Sequence, residues 1–182
     1  MRKFTLISLS LSAMLALIGC GSSSSSSSET GTGYYVDSLV EGVDYSCGNQ
    51  NGKTSDSGKF IFEKGKGCTF SLAGVKLRET SSSQLTDGGK VFEDNENVAR
   101  FLQSLDNDGN PDNGIFIHDN VRNELPNALA ANGSQGEVPT GGTLDAVVAS
   151  LDNSVPTFGG YVRTEDEVQD HLEETRDRYF PR

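Results

Sequence analysis

The chain has 182 residues, room for one domain or two small ones, and a formal charge of −11. So acidic a surface does not suit nucleic acid or unaided binding to anionic lipid; it suits solubility and cations.

The first stretch, "MRKFTLISLSLSAMLALIGC", opens with Arg2 and Lys3 and continues as an apolar run from Leu6 to Ile18. It has the build of a secretory signal segment and is too short for a comfortable membrane span. Its ending, Leu17-Ile18-Gly19-Cys20, resembles the bacterial lipoprotein cleavage box. That resemblance implies that residues 1–19 are removed and that Cys20 carries diacylglycerol on its sulfur and an acyl chain on its new amine. The alternative is an ordinary signal peptide that happens to contain a cysteine. Two or more acyl chains make a stable anchor where one would be marginal. Loss of residues 1–19 removes two bases and no acids, so −11 becomes −13.

Residues 20–33 follow as a linker, "CGSSSSSSSETGTG", too polar to bury a core. Residue 21 is Gly, where Asp in Gram-negative lipoproteins signals retention in the inner membrane. Its absence resembles an outer-membrane destination, on the periplasmic face or the cell surface. No second long apolar run follows, so the lipid is the only membrane attachment the sequence offers.

Residues 34–80 read as a β-rich part. Val43, Tyr45 and Cys47 alternate, as do Phe60 and Phe62, then Cys68, Phe70 and Leu72, with the turn-rich "GNQNGKTSDSG" and "KGKG" between them. This period predicts antiparallel strands with one apolar face. Gly42-Val43, Thr54, Gly58-Lys59-Phe60 and Gly65 resemble the pattern of carboxypeptidase-regulatory or transthyretin-like β-sandwich modules. With Cys20 lipidated, Cys47 and Cys68 remain as an even pair, and an exported compartment permits a disulfide. The rivals are free thiols or a metal site, the latter poorly served by two cysteines with no nearby histidine.

Residues 81–182 read as mostly helical. Val98, Phe101, Leu102 and Leu105 make one helix face, with Asp94 or Asn95 as its cap. "GIFI" reads as a short strand and "VRNELPNALAANG" as a helix broken around Pro126. Leu144, Val147, Val148 and Leu151 share a face of the next helix. The last opens with Thr164 and Glu167 at capping-box spacing and carries Val168, Leu172, Thr175 and Tyr179 on one side. The expected fold is therefore α+β: a small antiparallel sandwich-like part, then a helical segment with an acidic loop. "NVARFLQSLDNDGNPDNGIFI", with the later "DEVQDHLEETR", resembles a module found in bacterial exported lipoproteins and surface proteins beside adhesins and hydrolases. The resemblance implies an accessory part.

The loop "SLDNDGNPDNGI" is where function can be argued. Asp106, Asp108, Asn110 and Asp112 fall at alternate positions, and Gly109 and Gly114 supply permissive backbone. Calcium takes six to eight hard oxygens at about 2.3–2.6 Å, and such alternation can aim side chains at one ion. A second register, Asp108, Asn110, Asp112, Ile115 and Asp119, resembles an EF-hand loop. It departs from that pattern in having Asn113 where Gly is expected, Asp in place of the last Glu, and a strand at its exit. A calcium loop of the Asp-x-Asp-Gly type is the better description; the alternative is a polar turn built on Asx-turns.

His118 and His171 are the only histidines, and no nucleophile-elbow pattern accompanies them. His171 falls one position off the apolar stripe, which predicts a solvated or boundary position. Tryptophan is absent, and 163 residues remain from Cys20 onward to build a cleft. The expectation is a lipid-anchored, non-enzymatic binding or structural module with a calcium-stabilised loop and a protein or glycan partner of unknown identity. The competing expectation is a small lipid-anchored hydrolase using His118 or His171.

Overall fold

The structure, a computed structural model, describes residues 28–181. The expected signal segment, Cys20 and the serine run through residue 27 lie outside the described residues. The fold is α+β. Its strands are β1 (Thr30–Val36), β2 (Val40–Glu41), β3 (Asp44–Cys47), β4 (Gln50–Lys53), β5 (Lys59–Glu63), β6 (Cys68–Leu72), β7 (Val75–Thr80), β8 (Gly89–Phe92) and β9 (Ile115–Phe116). Its helices are α1 (Glu96–Ser104), α2 (Asp119–Ala131), α3 (Gly141–Ser154) and α4 (Glu165–Tyr179).

The alternation read from the sequence is realised in β5 and β6, where Phe60, Phe62, Cys68, Phe70 and Leu72 are buried. β3, β4, β6 and β7 form an antiparallel sheet in the order β4-β3-β6-β7. A three-stranded sheet, β5-β1-β8, lies against it, and Tyr35 of β1 stacks on Phe70 of β6 at 4.5 Å. Phe60 of β5 meets the same ring edge-on at 4.9 Å. Two pairs are parallel, β1 with β8 and β2 with β9, so the later part of the chain supplies strands to the first.

β1 takes in residues 30–33, which their composition assigned to the linker. Gly31 and Gly33 belong there because the Phe62 and Phe60 rings occupy the space a Cβ would fill. The glycines that read as flexibility are a floor for two aromatic rings.

Cys47 and Cys68 form a disulfide, with Cα atoms 4.2 Å apart, slightly below the expected range of about 4.4–6.8 Å. It closes a 21-residue separation. Replacing both cysteines by alanine is expected to lower the unfolding free energy by about 3 kcal/mol in urea titration. An unchanged midpoint would show that the bond adds nothing.

One buried cluster runs through both halves, from Tyr35 and Phe70 to Leu102, Leu125 and Leu151. α1 packs on α4, and α2 on α3. Asn95 caps α1 through the Asn97 and Val98 amides, and the Thr164–Glu167 capping box opens α4. α2 runs unbroken through Pro126, contrary to expectation. Pro126 lies on the exposed face, where water can take the carbonyl it orphans, while Val121, Leu125, Ala128 and Leu129 are buried on both sides of it. His171 is buried, also contrary to expectation, because α4 lays it over the end of β1. Among the described residues no helix is long and apolar enough to cross a membrane.

Candidate functional site

α1 ends at Ser104 with Leu105 as its C-cap, and the acidic loop begins inside the core rather than on the surface. Asp106 is fully buried. Its Oδ1 accepts the Phe116 N–H at 2.9 Å, which ties the loop's start to β9. Its Oδ2 is buried with no hydrogen-bond partner among the described residues. Asp108 is the exposed neighbour of that carboxylate. Its Oδ1 accepts the Asn110 N–H at 2.9 Å and its Oδ2 accepts the Asn113 amide at 3.0 Å. Gly109 turns the chain at φ +72°, and Pro111–Asn113 form a short 3-10 turn before β9. The loop is held from outside as well: Gly159 N–H donates to the Asn107 carbonyl at 2.8 Å.

Burial pushes the Asp106 carboxyl up to about 7, and the neighbouring Asp108 carboxylate adds to the rise. The Asn113 amide and Asn110 N–H hold Asp108 below its ordinary range. Two carboxylates therefore share a small space, one well served with donors and one not.

Of the four expected ligands, the structure brings Asp106 and Asp108 together. Asn110 contributes its backbone N–H to Asp108. Asp112 points elsewhere: its Oδ1 lies 3.1 Å from His171 Nδ1. Among the described residues no three His, Cys, Asp or Glu side chains are grouped to hold a metal ion.

A second constellation, which the sequence reading missed, surrounds His171. Its Nε2 lies 3.2 Å from Ser38 Oγ and 3.6 Å from Asp37 Oδ1. Ser38 sits at φ +59°, in the tight turn between β1 and β2, and its N–H donates to Thr175 Oγ1. Asp37 is buried, accepts from Gln103 Nε2 at 3.1 Å, and is pushed up to about 8 by burial. Burial holds His171 below its ordinary value, with Asp112 opposing.

Ser38, His171 and Asp112 thus stand in the order of an acyl-transfer triad. Their exposures run the wrong way for one. A working triad buries the carboxylate and opens the nucleophile, whereas here Ser38 is 1 % exposed and the Asp112 side chain 64 %. With its hydroxyl enclosed, Ser38 has no open side for a carbonyl to approach. The cluster instead ties three distant pieces together: the β1–β2 turn, the acidic loop and α4. No local pattern could have announced it, since Ser38 and His171 are 133 residues apart.

His118 stands apart from all of this, before the first turn of α2. It lines an open pocket of about 430 Å³ with Glu41, Lys53, Thr54 and Asp119. Lys53 and Asp119 pair across it at 2.7 Å, both largely exposed.

Fold and site together define an α+β protein with a half-buried acidic loop. No protein-family model, curated protein or solved structure matches this chain.

Proposed function

We propose that the mature chain is a lipid-anchored, extracytoplasmic accessory module, a binding or structural part and not an enzyme, whose 106–112 loop is stiffened by calcium. The observation that carries the calcium reading is Asp106, a buried carboxylate with one oxygen unpartnered and a second carboxylate, Asp108, beside it. Such a pair needs a shared proton or a cation. The hard oxygens suit calcium, and loop carbonyls, the Asn110 side chain and water can complete a flexible shell. Asp112 joins that shell only by leaving His171.

The test is a calcium titration of the melting temperature, carried to about 10 mM because extracytoplasmic sites are often weak. At calcium 100 times the dissociation constant, binding adds about 2.7 kcal/mol, a rise on the order of 5–10 °C. Asp108→Ala should abolish the rise, and magnesium should give little of it. A melting temperature that does not move across the range would make the loop a polar turn. The anchor is tested separately: Cys20→Ser should release the protein from the membrane fraction, and unchanged fractionation would remove the lipid from the proposal.

A further inference from the structure

Between α3 and α4 the chain crosses the acidic loop. The Gly159 N–H holds the Asn107 carbonyl, and Tyr161 follows two residues later. A Cβ on Gly109 would lie 3.3 and 3.4 Å from two carbons of the Tyr161 ring, so the ring stands against the residue between Asp108 and Asn110. Tyr161 is 44 % exposed, the most exposed large hydrophobic side chain among the described residues. Its hydroxyl donates to Glu167 Oε1 at 3.1 Å and accepts from Arg163 Nη1, whose guanidinium carbon lies 5.3 Å from the ring centre. The ring is thus fixed by its polar end while much of its apolar body stays in water.

The loop's own oxygens are few. Asp106, fully buried, offers an Oδ2 with no partner among the described residues, and the exposed Asp108 carboxylate lies beside it. The carbonyls of Asp106, Asn107, Asn110 and Pro111 already accept the N–H groups of Gly109, Gly159, Asn113 and Gly114. Calcium takes about six to eight oxygens, so an ion on Asp106 and Asp108 leaves several positions to water. Those positions face solvent, where Asp108 and Asn110 are exposed, and their waters can be exchanged for a partner's oxygens. The chain's charge of −11, with Glu167 bonded to the Tyr161 hydroxyl, disfavours a carboxylate or phosphate as that partner. Adjacent hydroxyls of a neutral sugar carry no charge to repel, and the C–H face of a sugar ring suits an aromatic surface beside a few oriented polar groups.

We propose that the 106–112 loop and Tyr161 form a calcium-dependent site for a neutral sugar, with two adjacent sugar hydroxyls on the ion and the apolar face of the sugar ring on Tyr161. This rests on the calcium reading and names the partner class of that same site. The ion supplies the attraction for hydroxyl oxygens, and Tyr161, already fixed by Glu167 and Arg163, adds contact area with little ordering left to do.

The test is saturation-transfer NMR with the methyl glycosides of mannose, glucose and galactose, in about 10 mM calcium and again after chelation. At least one glycoside should receive saturation in calcium and lose it with the chelator. Tyr161→Ala should weaken that sugar by about 3–10-fold while leaving the calcium-induced rise in melting temperature as it is in the parent. Tyr161→Phe, which keeps the ring, should bind within about twofold of the parent. If calcium raises the melting temperature and none of the three sugars binds, the sugar site is overturned and the calcium reading stands. Sugar binding that persists in chelator, or that is unchanged in Tyr161→Ala, also overturns it. A melting temperature that ignores calcium fails the calcium reading and takes the sugar site with it.

Discussion

Asp37→Asn is expected to stabilise the fold by about 4 kcal/mol at pH 7 and by almost nothing near pH 4. Asp37 is fully buried, and no cation answers it directly: Gln103 donates to it, while His171, 3.6 Å away, is held toward its neutral form by burial. Glu93 raises it further, and Arg163 opposes. Its folded value of about 8 stands well above the ordinary 3.8, so the native state holds the proton more tightly than the unfolded chain. The stability this proton supplies is complete below about pH 4 and is lost as pH rises toward 8. Asparagine copies the protonated carboxyl in shape and does not ionise. Asp94, Asp108, Asp119 and Glu167 are held below their ordinary ranges and push stability the other way with pH. The measurement is therefore the difference between variant and parent in urea unfolding at about pH 4, 7 and 8. A difference that is flat with pH would mean that Asp37 is solvated in the folded protein.

The opposite sign is expected for Glu93→Ala, a loss of about 3–5 kcal/mol. Glu93 is as buried as Asp37, and burial pushes its carboxyl up as well, but it is fully answered. It accepts the Tyr35 hydroxyl at 2.5 Å, the Asn95 N–H at 3.0 Å and Arg78 Nη1 at 3.0 Å. Alanine would leave the Tyr35 hydroxyl buried without a partner, remove a contact at the start of α1, and leave Arg78 only Asp94. Glu93→Gln keeps an acceptor for Tyr35 and should recover part of the loss. If alanine unfolds at the parental urea concentration, the network contributes nothing to stability. Two buried carboxylates, then, differ in the sign of their effect because one has a guanidinium and the other has an amide.

The elements legible in the sequence are those whose signal is local. α1 follows from its stripe and its Asn95 cap, α4 from its capping box, and β5 and β6 from alternating aromatics. What escaped depends on partners far along the chain. Gly31 and Gly33 read as linker because nothing near them says that Phe60 and Phe62 need the space. "GNQNGK" reads as a turn, yet Gln50–Lys53 pairs with β3 as β4. His171 lies off its helix's stripe and is buried only because the turn after β1 arrives over it. Within the acidic loop, the spacing identified Asp106 and Asp108 as neighbours. It could not reveal that Asp112 finds a histidine 59 residues away and turns from the others.

The parallel strand pairs also set an order of events. β1 gains its second neighbour only when residues 89–92 arrive, and β2 gains its strand partner at residues 115–116. Each closure spans more than fifty residues, and such distant pairing slows folding because loop entropy is spent before contacts return it. Until then β1 presents an open edge with glycines on it, a surface on which another copy's strand can pair. A fragment ending near residue 80 would keep that edge permanently open, and a fragment beginning there would carry β8 and β9 with nothing to join. The chain therefore reaches its native state late and as a whole, and its most aggregation-prone moment is the interval between the appearance of β1 and that of β8.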